Sequence, residues 1–277
     1  MNLFNRNNKK HTLEKKPKNF EPGVPVNLQA ALSQLVGIAR DHMEDSASSF
    51  ILQQGYCDKT SRIGLFIVAD GMGGHLNGEL ASSLAIENLN KFLLPKLQEQ
   101  FDSLPTPEQI EPLLAEAFDL AQQAVLDKVV GGGSTLTAAL LIDKTLYFAH
   151  VGDSRLYLVG YDGKTEILSR DHSLVQRLVD LGQISLAEAE THPQKNVLYR
   201  ALGQTDGFKV DQGYQQLSSP GYLMLCSDGL WGVLEEKRII DEICADRSLA
   251  ERANRLCELA NQAGGPDNIS VILVEIF

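Results

Sequence analysis

Leu65-Phe66-Ile67-Val68-Ala69-Asp70-Gly71-Met72-Gly73-Gly74-His75-Leu76-Asn77-Gly78-Glu79 is the stretch on which the architecture turns. Five apolar residues, Leu65 to Ala69, have the pattern of a buried strand that stops on a carboxylate, Asp70. Gly71, Gly73 and Gly74 then make a bend where backbone carbonyls can approach a ligand closely. Taken alone, Asp70 is as readily a turn residue as a ligand. The arrangement recurs, however. Asp153 and Asp228 each follow an apolar run, Asp267 precedes one, and Glu44-Asp45 follow another.

Working outward, the chain has 277 residues, is 43% hydrophobic and carries a formal charge of −11. That length buries a large core as one big domain or two small ones. The charge disfavours nucleic acid or an anionic membrane surface as the main partner. Residues 1–20 carry six basic groups against Glu14 alone, so the remainder is more acidic still. Such an excess of carboxylates is one that bound divalent cations partly offset. Cys57, Cys226, Cys244 and Cys257 show no Cys-x-x-Cys pairing and fit reduced, mostly buried thiols. No apolar stretch approaches the roughly 20 residues that span a bilayer, and the basic N-terminus lacks the apolar region of a secretory signal. These features point to a soluble, cytoplasmic protein.

Residues 1–31, rich in Asn and Lys and interrupted by Pro17, Pro22 and Pro25, read as a flexible basic arm, and residues 32–277 as the folded domain. Strands are predicted at 35–39 and 62–69, and a helix at about 78–98. A second helix opens with Thr106 as N-cap, Pro107 at the first position and Gln109 completing a capping box, with Pro112 a possible kink. After Gly131-Gly132-Gly133, three strands (134–142, 145–151 and 155–159) follow with links so short that antiparallel pairing is expected. Two short helices at 173–181 and 185–191, then the polar stretch His192 to Asn196, make 172–207 a candidate lid. A strand at 222–226, helices at 235–243 and 248–263, and a last strand at 269–274 complete the chain.

Carboxylates at several strand ends repel one another unless a cation lies between them. All-oxygen ligation points to Mg²⁺ or Mn²⁺ rather than zinc. The pair His75 and Glu79 lacks the further ligands a zinc site needs. Two such ions about 3.5–4 Å apart make a hydrolytic site that lowers the pKa of a bridging water. Arg40, just upstream of Glu44, is a planar bidentate donor suited to phosphate oxygens, or else a surface arginine. The chemistry narrows to metal-assisted hydrolysis of a phosphate ester.

Arg40-x-x-Met43-Glu44-Asp45, Val68-Ala69-Asp70-Gly71-x-Gly73-Gly74, Gly133-Ser134-Thr135, Gly152-Asp153-Ser154-Arg155, Ser227-Asp228-Gly229 and Asp267-Asn268 stand in an order that resembles the type-2C, Mg²⁺/Mn²⁺-dependent serine/threonine protein phosphatases, in their bacterial form. The resemblance covers about 33–277. It implies an α+β fold, a four-layer αββα sandwich of two mainly antiparallel sheets flanked by helices, with a flap at about 172–207. It implies that Asp70 bridges two metal ions, that the Gly71 carbonyl ligates one, and that Asp228 and Asp267 complete the first ion's protein ligands. Glu44 would approach the second ion, and Asp153 with Asp228 would hold a third, weaker one. Arg40 would bind the substrate phosphate beside the catalytic Asp70. A metal-bridging hydroxide would displace the Ser/Thr oxygen in one step, without a phosphoenzyme.

One position departs from the family. Many eukaryotic members carry a histidine directly after Asp-Gly, proposed as general acid, where this chain has Met72. His75 and His192 are alternatives by proximity in sequence only. The implied partners are phosphorylated proteins, with no nucleic acid, no membrane insertion and a monomeric state. Two rival readings stay open at this point: a non-catalytic phosphoprotein-binding relative, and a metal-dependent hydrolase of small phosphates or nucleic acid.

Overall fold

The computed structural model describes residues 19–20, 24–56, 59–74, 76–99 and 106–277. One five-stranded sheet has the order β1 (Leu28–Leu35), β12 (Ile269–Ile276), β11 (Gly221–Cys226), β8 (Arg155–Gly160), β9 (Thr165–Ile167). The other has the order β10 (Asp211–Gln216), β7 (Thr145–Val151), β6 (Leu136–Ile142), β3 (Lys59–Ala69), β2 (Ser46–Tyr56). A short third pair joins β4 (Gly71–Met72) to β5 (Gly133–Ser134). Every one of these pairings is antiparallel.

The unbroken apolar runs follow from burial on both faces. Leu65, Ile67 and Ala69 of β3 pack with helices α1 (Leu76–Glu99) and α2 (Pro107–Lys128), while Phe66 and Val68 face the other sheet. On the far side, Tyr222, Met224 and Cys226 of β11 pack against α6 (Glu236–Ile243) and α7 (Leu249–Gln262). Leu223 and Leu225 point the other way and meet Phe66 and Val68 between the sheets. The layers are therefore helix, sheet, sheet, helix, the expected αββα sandwich. Burying each such large side chain contributes about 1.5–3 kcal/mol. A one-residue slip of β3 would exchange its two faces, so packing fixes where the strand ends and where Asp70 emerges.

Several elements differ from expectation. The first strand is Leu28–Leu35 rather than 35–39, because Gly37 at φ 88° turns the chain just beyond it. A boundary at 31/32 thus cuts through β1, which pairs with β12 from Leu28↔Ile276 to Leu35↔Ile269. Residues 1–18, which hold most of the expected arm, lie outside the described residues, as do Cys57 and His75. β2 and β10 have no continuous apolar run because they are edge strands with one open side.

Of the three short-linked strands, β6 and β7 pair as expected, but β8 pairs with β11 and β9. Gly152-Asp153-Ser154 is therefore a corner that carries the chain from one sheet to the other. Pro112 lies inside α2 without ending it, and the Thr106 N–H donates to Gln109 Oε1 at 3.0 Å as the capping box requires. Cys226 and Cys257 are buried, whereas Cys244 is exposed.

Candidate active site

Asp70 leaves β3 with both backbone groups held. Its N–H donates to Thr135 Oγ1 at 2.8 Å, and its carbonyl accepts from the Thr135 N–H at 2.8 Å and from Ser134 Oγ at 3.0 Å. Thr135 Oγ1 also lies 2.8 Å from Ser154 Oγ, which ties Asp70 to the corner bearing Asp153. The Asp153 carbonyl accepts from Trp231 Nε1 at 3.0 Å. The Arg155 guanidinium lies 3.6 Å from the centre of the Trp231 ring and is held by Asp171 at 3.1 and 2.7 Å.

Asp228 opens the short helix α5 (Asp228–Trp231) directly after β11, with Ser227 as N-cap. Ser227 Oγ donates to Asp45 Oδ2 at 2.8 Å, and Ser270 Oγ donates to the same oxygen at 2.7 Å. Asp45 is thereby the buried joint between β11, β12 and the loop after β1. Asn268 is a second joint. Its amide donates to the carbonyls of Val36 at 2.6 Å and His42 at 2.9 Å, and its Oδ1 accepts from the Glu44 N–H at 2.7 Å. Neighbouring Asp267 accepts from Arg40 Nη2 at 2.7 Å.

Glu44 is buried, with its Oε1 3.3 Å from His42 Nε2 and its carbonyl accepting from Ser82 Oγ at 2.5 Å. The glycines beside it are required by close approach. A Cβ on Gly71 would lie 2.1 Å from the Gly78 carbonyl oxygen and 2.5 Å from that of Glu44. A Cβ on Gly78 would overlap the Glu44 carboxylate outright. The bend after Asp70 therefore has no room for side chains.

The electrostatics show that the acids share one region. Burial, then Asp45, Asp228, Asp153 and Asp267, hold the Asp70 carboxyl well above the usual carboxylate range. Burial, then Asp228 and Asp171, do the same for Asp153. Asp228 is pushed up to about 6 by burial and Asp267, against a lowering hydrogen bond with Asp70 and the charge of Arg40. Asp45 is pushed up to about 7, chiefly by burial. The fold thus brings Arg40, Glu44, Asp70, Gly71, Asp153, Asp228 and Asp267 near one another from five places in the sequence.

A divalent cation fits this donor set. Asp228 Oδ1 is buried without a hydrogen-bond partner, and such an oxygen costs about 1–3 kcal/mol unless something else satisfies it. Clustered carboxylates that repel one another offer hard oxygen ligands whose charge a cation would offset. Among the described residues no three His, Cys, Asp or Glu side chains close into a cage.

A family profile described as "Protein phosphatase 2C" matches residues 35–178. The chain belongs to the protein phosphatase 2C family. It is 34% identical over 254 residues to protein phosphatase PhpP of Streptococcus pneumoniae, covering 90% of this chain and 98% of that one. The serine/threonine phosphatase of S. agalactiae superposes with a TM-score of 0.77 at 31% identity, covering 90% of this chain and 99% of the other. The catalytic domain of serine/threonine protein phosphatase PstP, solved in complex with two manganese ions, gives a TM-score of 0.73 at 31% identity, covering 91% and 99%. This protein phosphatase 2C member is accordingly a serine/threonine protein phosphatase, a phosphoric monoester hydrolase, and its substrates are phosphorylated proteins. The family is metal dependent. No helix among the described residues is long and apolar enough to cross a membrane.

The named acids were visible in the motifs, but their supports were less so. Thr135 and Ser154 stand in the motifs as companions of Gly133 and Asp153. Trp231, Asp171, Ser227 and Ser270 have no sequence signal beyond adjacency to strand ends. His192 lies in the stretch after α4 (Leu186–Glu190), where its Nδ1 accepts from the Gln194 N–H at 3.1 Å.

Proposed function

We propose that the protein hydrolyses phosphoserine and phosphothreonine monoesters in one step, without a phosphoenzyme, using two Mg²⁺ or Mn²⁺ ions and a third, weaker one. The observation that carries this is the Asp70–Asp228 pair, two half-buried acids close enough that Asp228 raises the Asp70 carboxyl, with Asp228 Oδ1 itself shielded from solvent and without a hydrogen-bond partner. Asp70 would serve both core ions, with the Gly71 carbonyl beside it. Asp228 and Asp267 would hold one of them and Glu44 the other, directly or through water. Asp153 with Asp228 would hold the third.

Bound divalent cations supply Lewis acidity that makes a water nucleophilic near neutral pH and offsets charge on the phosphoryl oxygens. The chain's own residues do the rest. Thr135 and Ser134 fix the Asp70 backbone, so its carboxylate needs no reorganisation during the reaction. Arg40, 44% exposed, would release Asp267 and present its guanidinium fork to the phosphate. Met72 has no proton to give, so the departing alkoxide would take one from solvent. The acidic charge supports phosphoproteins over nucleic acid as substrate. A cytoplasmic, monomeric enzyme completes the proposal.

The test is hydrolysis of phosphoserine, phosphothreonine and phosphotyrosine peptides with Mn²⁺ and with chelator. Turnover of the first two that vanishes with chelator is expected. Equal turnover in chelator would refute the metal-dependent reading.

A further inference from the structure

Beside helix α3 (Leu174–Asp180), with none of the proposed metal-ligating acids in its lining, lies a cavity of about 410 Å³. Arg170, Arg177, Arg200 and Lys209 line it, against only two acids, Asp180 and Asp211. Both acids are engaged. Arg170 pairs with Asp180, and Arg200 Nη1 lies 3.1 Å from Asp211 Oδ1. Burial opposes ionisation of Asp211, yet the hydrogen bond from His172 and the charge of Arg200 hold its carboxyl below the usual range. Arg177 and Lys209 have no carboxylate partner among the described residues. Arg177 and Arg200 each place a guanidinium 5.4 Å from the centre of the Tyr199 ring, also part of the wall.

We propose that this cavity binds a second phosphoryl group carried by the same substrate protein, an inference that rests on the phosphatase reading above. Four cations against two acids leave a surplus of two positive charges, on a chain whose net charge is −11. A phosphorylated Ser or Thr carries about −1.5 to −2 at neutral pH, which matches that surplus. A single carboxylate would offset half of it. The guanidinium planes of Arg177 and Arg200, braced on one ring, suit bidentate contact with phosphate oxygens.

The cavity is also joined to the acids by a short hydrogen-bonded chain. Arg200 meets Asp211, His172 Nε2 lies 3.0 Å from Asp211 Oδ2, and the Gly152 N–H donates to His172 Nδ1 at 3.1 Å. Gly152 precedes Asp153. A substrate phosphorylated twice would thus engage the flap wall and the acids together, gaining from the linkage of two contacts.

Binding is read first, on the full chain stripped of metal, by anisotropy of a labelled peptide bearing one phosphoserine. The wild type should hold it about tenfold tighter than the same peptide with Glu in its place, and Arg177→Glu with Lys209→Glu should abolish the difference. The double variant Arg177→Lys with Lys209→Arg should keep at least part of it, which separates lost charge from lost folding. Equal binding of the phosphoserine and Glu peptides, or undiminished binding by the charge-reversed variant, would overturn the proposal. Turnover is read second, with Mn²⁺. kcat/KM for doubly over singly phosphorylated peptides should be about tenfold at the favourable spacing and fall to about one in the charge-reversed variant. A ratio near one in the wild type at every spacing would also overturn it. If neither peptide is hydrolysed the phosphatase reading fails, while the binding measurement still decides the cavity.

Discussion

Arg40 donates from Nη2 to Asp267 Oδ2 at 2.7 Å, so the cation proposed for the substrate phosphate is tied to a carboxylate proposed for a metal ion. The two side chains are 44% and 31% exposed, which leaves the pair free to separate when ligands arrive. Hydrogen bonds to charged groups contribute about 1.5–3 kcal/mol, so Arg40→Ala should lower kcat/KM on a phosphopeptide by about 10- to 150-fold. Arg40→Lys should fall in between, since a point charge replaces a fork. Steady-state kinetics at saturating Mn²⁺ check this, and an Arg40→Ala enzyme within twofold of wild type would remove Arg40 from phosphate binding.

Thr135 acts through Asp70. Thr135→Val keeps the shape but leaves the Asp70 N–H without its acceptor, at a cost of about 1–3 kcal/mol. Urea unfolding should show a lower midpoint with an unchanged slope, and turnover should fall about tenfold. Loss of stability with full turnover would show that the bond supports the fold only.

Gly71 is required by space. Gly71→Ala puts a methyl 2.1 Å from the Gly78 carbonyl oxygen, an overlap that only backbone movement relieves. Overpacking of this kind costs about 1–3 kcal/mol. The variant should unfold at lower temperature and lose the stabilisation that Mn²⁺ gives the wild type. A wild-type response to Mn²⁺ would contradict the close packing of Glu44, Gly71 and Gly78.

The fall in stability with rising pH should disappear or reverse when metal is bound. Asp45 near 7 and Asp228 near 6, with Asp70 and Asp153 also raised, keep protons in the metal-free fold that the unfolded chain releases near pH 4. Their contribution is fully present below that unfolded value and is lost as pH rises toward 7. His150 works the other way. Burial, then His172, lowers it to about 3, so its contribution is present above about 6.5 and is lost as pH falls. With chelator the several acids outweigh one histidine, and the melting temperature should fall between pH 5 and pH 7. With Mn²⁺ bound, Asp70, Asp153 and Asp228 would be held ionised as ligands, and the melting temperature should be level or rise over the same range. Parallel slopes with and without metal, followed by thermal scanning, would contradict this.

Much of this was legible because one physical requirement wrote it twice. The β3 and β11 segments are buried on both faces, so each reads as an apolar run, and the acid that ends each run stands out. Edge strands such as β2 and β10 satisfy no such requirement and leave no pattern. In β1 the apolar residues alternate weakly, while Leu35 to Ala39 has the more strand-like pattern although Gly37 turns the chain there. The corner at Gly152 looked like a hairpin, since length alone does not distinguish a turn within one sheet from a step between two. Asp45 was named only as a neighbour of Glu44. Its burial against Ser227 and Ser270 depends on partners far along the chain, which no local pattern encodes.

The most direct measurement is phosphothreonine-peptide hydrolysis by Asp228→Asn beside the wild type, over a Mn²⁺ titration, with folding followed by circular dichroism. Asp228 supplies the buried oxygen without a protein partner, so the amide should leave the fold intact, remove turnover and abolish Mn²⁺-dependent thermal stabilisation. Near-normal hydrolysis by the folded variant at excess Mn²⁺ would contradict the site.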